Sequence, residues 1–218
     1  MQDEFVSHES ADSRKWRADD PRRLRMAEKR AAILSAARPI LLRDGLGGST
    51  LDRVAAEGGI AKMTLYRHFP SKEALFEGLV TSMCESMREG IENAPLGIGD
   101  RPVPARLADE LTAFTSALIE PDALALYRLV VAEGWRFAGL AHAFDQAGMR
   151  VIRQRIARLL QAGGVSPDRS AQRASQVVAL ALGDAYQRAV LGLVDVGNGE
   201  VFAQQIQAAV AHGFAGPA

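Results

Sequence analysis

The stretch TLDRVAAEGGIAKMTLYRHFPSKEAL, Thr50 to Leu75, decides how the rest of the chain is read. Leu51, Val54 and Ala55 stand at i, i+3 and i+4, the spacing of one apolar helix face. Gly58-Gly59 ends that helix, because glycine enters positive φ without a steric penalty. Ile60 is expected to anchor the turn in the core. A second helix is predicted over 62–68, with Leu65 and Phe69 turned inward. Lys62, Met63, Thr64, Tyr66, Arg67 and His68 then face outward or sideways. A short helix after a glycine turn, presenting polar, basic and aromatic groups, suits a DNA major groove. The same pattern also describes a helical hairpin whose polar face is only solvated.

The run Thr64-Leu65-Tyr66-Arg67-His68-Phe69-Pro70-Ser71-Lys72-Glu73-Ala74-Leu75 narrows the choice. It is similar to the most recognisable segment of the TetR/AcrR family of bacterial transcriptional regulators, and the resemblance is strong over 26–75. The resemblance implies base-edge contacts from Lys62, Met63, Thr64 and Arg67. Arg67 has the two-pronged donor that reads guanine, and Met63 or the Thr64 methyl suits a thymine methyl. Tyr66, His68 and Lys72 are phosphate candidates. Ser49 or Thr50 is expected to cap the helix before the turn. In the family the residue near that cap touches phosphate, which makes Thr50 a further candidate, with Arg53 on the outward face. Ser71 is expected to cap the fourth helix, whose positive end points at the DNA backbone. The chain departs from the family at Ala61, where a capping serine or threonine is usual.

Composition agrees with a helical protein. Hydrophobic residues make up 48 % of the 218 and aromatics only 6 %, and no alternating strand or Asn-Gly hairpin is found. Net charge is zero, but it is unevenly placed. Residues 14–75 carry 14 Lys/Arg against 7 Asp/Glu, whereas residues 76–218 carry 12 against 15. A basic N-terminal third is the electrostatic footprint of a nucleic-acid binder. Residues 1–25 form a polar arm in which Arg14, Lys15, Arg17, Arg22, Arg23 and Arg25 cluster. The arm reads either as a phosphate or minor-groove contact or as a solubilising tail. Cys84 is the sole cysteine, and no signal peptide or membrane-spanning run is seen, so a cytoplasmic protein is expected.

The predicted fold class is all-α. A three-helix helix-turn-helix head, 26–75, joins a larger helical body for ligand binding and dimerisation, 76–218. The first helix is predicted over 26–43 and ended by Gly45, with a kink or break at Pro39. The fourth runs from Ser71 to about Asn93, and Pro95, Gly97 and Gly99 mark the break after it. A fifth spans about 105–119, and another starts at Pro121 and is interrupted by Gly134. The segment from Leu126 to Phe137 resembles the ligand-binding half of AcrR-type and AefR-like members. The eighth helix is predicted over 148–161, with Arg150, Arg153, Arg155 and Arg158 on a solvated face. The ninth, 168–194, is apolar nearly all round between Val177 and Leu193. Such a helix needs cover on every side. A homodimer through helices eight and nine is therefore expected, with Gly183 and the alanines permitting close approach.

No Walker, Rossmann, nucleophile-elbow, zincin or Cys-x-x-Cys motif occurs, and the four histidines are far apart. No catalytic residue, cofactor or metal is predicted. A small apolar or amphipathic inducer is expected in the body, near Met83, Met87, Phe114, Leu118, Tyr127, Trp135, Phe137, Met149, Asp184 and Tyr186. Asp184 stands out as an acid on an apolar helix. The resemblance implies repression at a palindromic operator in double-stranded DNA, relieved by that inducer. Control by a protein partner, or no inducer at all, is the competing reading, with a small helical enzyme behind it.

Overall fold

The computed structural model describes residues 21–93, 101–193 and 200–215. Every regular element among them is helical. They are α1 (Pro21–Gly48), α2 (Leu51–Glu57), α3 (Lys62–His68), α4 (Lys72–Asn93), α5 (Val103–Leu118), α6 (Pro121–Glu133), α7 (Ala138–Phe144), α8 (Arg150–Ala162), α9 (Pro167–Val190) and α10 (Ala203–Phe214). The arm up to residue 20 and the break after α4 lie outside the described residues.

The head forms as its apolar spacing predicts. Ile33, Leu34, Ala37, Ile40 and Leu41 of α1, Leu51, Val54 and Ala55 of α2, and Leu65 and Phe69 around α3 are all buried together. The cluster continues along α4 through Leu75, Phe76, Leu79, Val80 and Met83, and takes in Leu126 and Leu129 of α6 and Leu140 of α7. Head and body are therefore joined by packed side chains as well as by the chain itself. A second cluster fills the body, where α5, α8, α9 and α10 pack on one another.

Pro39 does not break α1. The residue inside it with non-helical backbone angles is Gly45, at φ 66°. Pro39 and Ser35 both sit on the exposed side, where water can take the carbonyl of Ser35 that Pro39 leaves without a donor. α1 also starts at Pro21, earlier than its apolar stripe requires.

In the body, α7 has no counterpart in the predicted elements, and it runs through one π-helical turn, Asp145–Met149, directly into α8. The arginines of α8 are not a uniformly solvated face. Arg155 turns inward and makes two bonds to Glu110 of α5, at 2.6 and 2.9 Å. Arg153 meets Asp145 at 2.5 Å.

α9 is interrupted at Gly183, whose φ of 48° with ψ −154° is accessible to glycine almost alone. A β-carbon at this position would come within 3.2 Å of the Gln205 side chain of α10. One flank of α9, including Ala174, Val177, Ala181 and Ala185, is buried. The other flank is mixed: Leu180 is exposed beside Gln176, Asp184, Gln187 and Arg188, and Leu191 and Leu193 are exposed just beyond.

Candidate nucleic-acid interface

α2 and α3 are set by local chemistry. The Thr50 hydroxyl accepts from the Arg53 amide at 3.2 Å and caps α2. Ser49, the other candidate cap, is buried instead and donates to the Gly45 carbonyl at 2.8 Å. The amide of Ile60 donates to the Ala55 carbonyl at 2.9 Å and closes the glycine turn. Ala61 gives α3 no side-chain cap, and its carbonyl accepts from Thr64 and Leu65. Ser71 caps α4 by accepting from the Ala74 amide at 3.1 Å.

Leu65 and Phe69 are fully buried, so the opposite side of α3 is presented to solvent. Met63 is 83 % exposed, a large apolar side chain held out in water. Lys62, Tyr66 and Arg67 are exposed beside it, and Thr64 is half-buried. Thr50 and Arg53 of α2 are exposed as well. These seven residues share the outer side of the two-helix unit.

Two predicted contacts are placed differently. His68 is half-buried, its carbonyl accepts from Arg30 at 3.2 Å, and its Nε2 is buried without a partner. Burial, then the charges of Arg67, Arg30 and Lys29, holds its pKa below the usual histidine value. Lys72 donates from Nζ to the Leu46 carbonyl at 3.0 Å, tying α4 to the turn before α2. Arg53 is exposed yet fully engaged, with Glu57 at 2.5 Å, Asp44 at 3.0 Å and the Gly48 carbonyl at 3.2 Å.

Sequence reading did not find Asp52. Its carboxylate accepts from Lys62 Nζ at 2.8 Å and from the Tyr66 hydroxyl at 3.0 Å. The Lys62 bond, then the Tyr66 bond, holds Asp52 below the usual carboxylate range, and Asp52 in turn raises Lys62 and Tyr66. One acid thus occupies two of the candidate DNA-contacting groups. Replacing Asp52 by asparagine is expected to strengthen binding to duplex DNA of any sequence, with a salt slope steeper by about one as Lys62 becomes free for phosphate. Fluorescence-anisotropy titrations over a salt series would measure it. Weaker binding by the variant would mean that Asp52 holds Lys62 and Tyr66 in their DNA-binding poses.

In the body, the structure gathers Met83, Met87, Phe114 and Leu118 around two adjoining spaces. An open cleft of about 670 Å³ lies among α1, α4, α5 and α6 and is lined by Met83 and Met87. A smaller apolar pocket of about 40 Å³ adjoins it, lined by Met87, Phe114 and Leu118. Cys84 also lines that pocket, and burial pushes its thiol up to about 12, which makes it unreactive. Tyr127 stacks edge-on against Tyr186 at 5.3 Å and tilted against Phe144 at 5.9 Å. The Tyr186 hydroxyl is buried without a partner. Phe137 and Met149 are half-buried against the head-side and body clusters. Trp135 stands 81 % exposed at the surface, with its indole N–H donating to the Ala132 carbonyl. Asp184 also points to solvent, 3.9 Å from Arg188. Among the described residues no helix is long and apolar enough to cross a membrane.

Comparison with known proteins agrees with this architecture. Residues 33–79 match the family model of bacterial regulatory proteins of the tetR family. Residues 105–215 match that of the AefR-like transcriptional repressor C-terminal domain. A TetR-family regulator from Mesorhizobium loti superposes with a TM-score of 0.74 at 22 % identity, over 87 % of this chain and 96 % of that one. The flavonoid-responsive regulator FrrA gives 0.68 at 28 % identity, over 86 % and 95 %. Curated relatives match over short stretches. The nucleoid occlusion factor SlmA of Shewanella loihica is 50 % identical over 38 residues, 17 % of this chain and 19 % of that protein. SlmA of Vibrio cholerae is 38 % identical over 64 residues, 29 % and 33 %. The matched stretches thus span a fifth to a third of those relatives. With both its head and the greater part of its body matched, the chain belongs to the TetR family of transcriptional regulators, and its helix-turn-helix is a DNA-binding head.

Proposed function

We propose that this protein is a homodimeric repressor, released from a palindromic operator by a small apolar or amphipathic molecule. The observation that carries the reading is the outer side of α3, where Met63 is held out in water and Lys62, Tyr66 and Arg67 surround it. A folded protein gains nothing from an exposed methionine there, whereas a thymine methyl in the major groove would cover it. Thr64 completes the base-reading set, Tyr66 and Thr50 approach phosphate, and Arg53, His68 and Lys72 add positive or donor groups from positions anchored in the head.

Dimerisation through α8 and α9 would cover Leu180, Leu191 and Leu193, which are exposed in the single chain. It would set two heads one helical turn of DNA apart, the spacing a palindrome demands. The basic stretch over 1–25, whose last five residues open α1, would add phosphate contacts, with 26–75 as the head and 76–218 as the switching body. A ligand shifts the equilibrium between head spacings by favouring one of them. The name of FrrA, 28 % identical overall, makes flavonoids and similar planar phenols the first inducers to screen. The work is done in the cytoplasm, on chromosomal DNA, with no catalytic step.

Arg67→Ala tests the base-reading assignment. The variant should lose about 1–3 kcal/mol of operator binding and become indifferent to the base pair at one position of each half-site. Binding and discrimination equal to the unaltered protein would remove Arg67 from the base contacts.

A further inference from the structure

One open cleft of the body is not walled by the body alone. Arg38 of α1, a head helix, lines the cleft together with Met83, Met87 and Ile91 of α4 and Ala113 and Ala117 of α5. Its volume, about 670 Å³, is in the range that holds a drug-sized ligand. Small residues on α5 and flexible methionines on α4 form its apolar wall. Met87, Ile91 and Ala117 also line the smaller 40 Å³ pocket. These three side chains therefore stand between the cleft and the smaller pocket.

At the mouth, Arg38 Nη2 meets Asp122 of α6 at 2.6 Å. This pair ties the head to the body. It is made through one nitrogen, and both side chains are about half exposed, so it contributes little and is easily exchanged. Arg38 Nε is buried without an acceptor. The two carboxylates here, Glu120 and Asp122, belong to exposed residues that water can serve. The group short of a partner is thus a donor, and a ligand would satisfy it with an acceptor.

Resting on the reading of the protein as ligand-responsive, we propose that this head–body cleft is the inducer site. It takes an apolar molecule bearing one acidic group. The acid replaces Asp122 on the Arg38 guanidinium, in two-pronged fashion through Nε and Nη2. The apolar part lies against Met83, Met87, Ile91 and Ala117. Binding thereby exchanges one contact between α1 and α6 for a contact to the ligand and biases how α1 sits on the body, while the packed contacts between them remain. A molecule with several negative charges is disfavoured by Glu120 and Asp122 at the mouth.

The test uses two dyes with the same apolar body, 1-anilinonaphthalene-8-sulfonate and its uncharged counterpart N-phenyl-1-naphthylamine, with the purified full chain. The sulfonate is expected to bind more tightly than the neutral dye. Arg38→Gln should weaken the sulfonate about tenfold, the effect of one charge-assisted contact, and leave the neutral dye within about twofold. Asp122→Asn should tighten the sulfonate about threefold, as the competing carboxylate is gone. Ala117→Trp, which fills the cleft, should abolish both signals, with circular dichroism confirming that the helices persist. Sulfonate affinity unchanged in Arg38→Gln, both dyes unaffected by Ala117→Trp, or no dye binding at all would overturn the site. Release from DNA separates this from the broader reading. Dyes that bind as described but never release DNA leave the site standing and sink ligand response. Inducers that release Arg38→Gln and Ala117→Trp as readily as the unaltered protein leave ligand response standing and sink the site.

Discussion

Replacing Phe69 by alanine should cost about 3–5 kcal/mol of stability and abolish specific DNA binding. Phe69 is fully buried at the end of α3. The Arg30 guanidinium of α1 lies over its ring at 4.1 Å and also holds the His68 carbonyl. On the α4 side, Gly78 leaves room for the ring: a β-carbon there would come within 2.8 Å of it. One aromatic side chain therefore fastens the recognition helix to both of its neighbours. Its removal leaves a cavity among three helices of a small head, and α3, with only seven residues, has no stability of its own. Chemical denaturation at fixed protein concentration would measure the loss, and DNA titration the loss of binding. Phe69→Leu, which keeps most of the apolar volume, should recover the larger part of both. A stable Phe69→Ala protein that still binds specifically would mean that α3 is positioned by its turn and not by this anchor.

Arg155→Met should destabilise the body by about 3–5 kcal/mol. Glu110 is 3 % exposed, and Arg155 reaches it with two nitrogens across the α5–α8 contact. Taking away the guanidinium leaves a carboxylate in the core without the donors that compensate its lost water. The paired change Arg155→Met with Glu110→Leu should restore stability to near that of the unaltered protein, because well-packed apolar residues commonly replace a buried ion pair without loss. Thermal or denaturant unfolding of the two single variants and the double variant completes the cycle. Equal loss in the single and double variants would show that the pair serves only as packing volume.

The parts legible in the sequence are those decided within a few residues. The spacing of Leu51, Val54 and Ala55, the Gly58-Gly59 turn and the inward Leu65 and Phe69 placed α2 and α3, and the hydroxyls of Thr50 and Ser71 cap where local rules put them. What escaped depends on how distant helices cross. Asp52 meets Lys62 and Tyr66 only because α2 and α3 cross at that point. Arg155 occupies an outward-looking position of a charged helix, yet Glu110, 45 residues away on α5, draws it in. Asp184, an acid among apolar neighbours in sequence, needs a partner or water, and it has both on the open flank of α9, beside Arg188. Pro39 suggested a break, but the buried Ala37, Ile40 and Leu41 hold α1 in register while the exposed side absorbs the missing hydrogen bond. Gly183 interrupts the backbone of α9, a role that its apolar surroundings in sequence do not announce. In each case the residue type was informative, and the geometry that gives it its role is tertiary.

The central claim is that the exposed side of α3 reads a specific operator. The most direct measurement is binding of the purified protein to fragments of its own promoter region over a salt series, against random DNA of the same length. One fragment is expected to outcompete random DNA at every salt concentration, with two protomers or a multiple of two bound per site, and affinity falling log-linearly with salt. Equal affinity for all fragments and for random DNA, followed by no enriched sequence in genome-wide site selection, would contradict it.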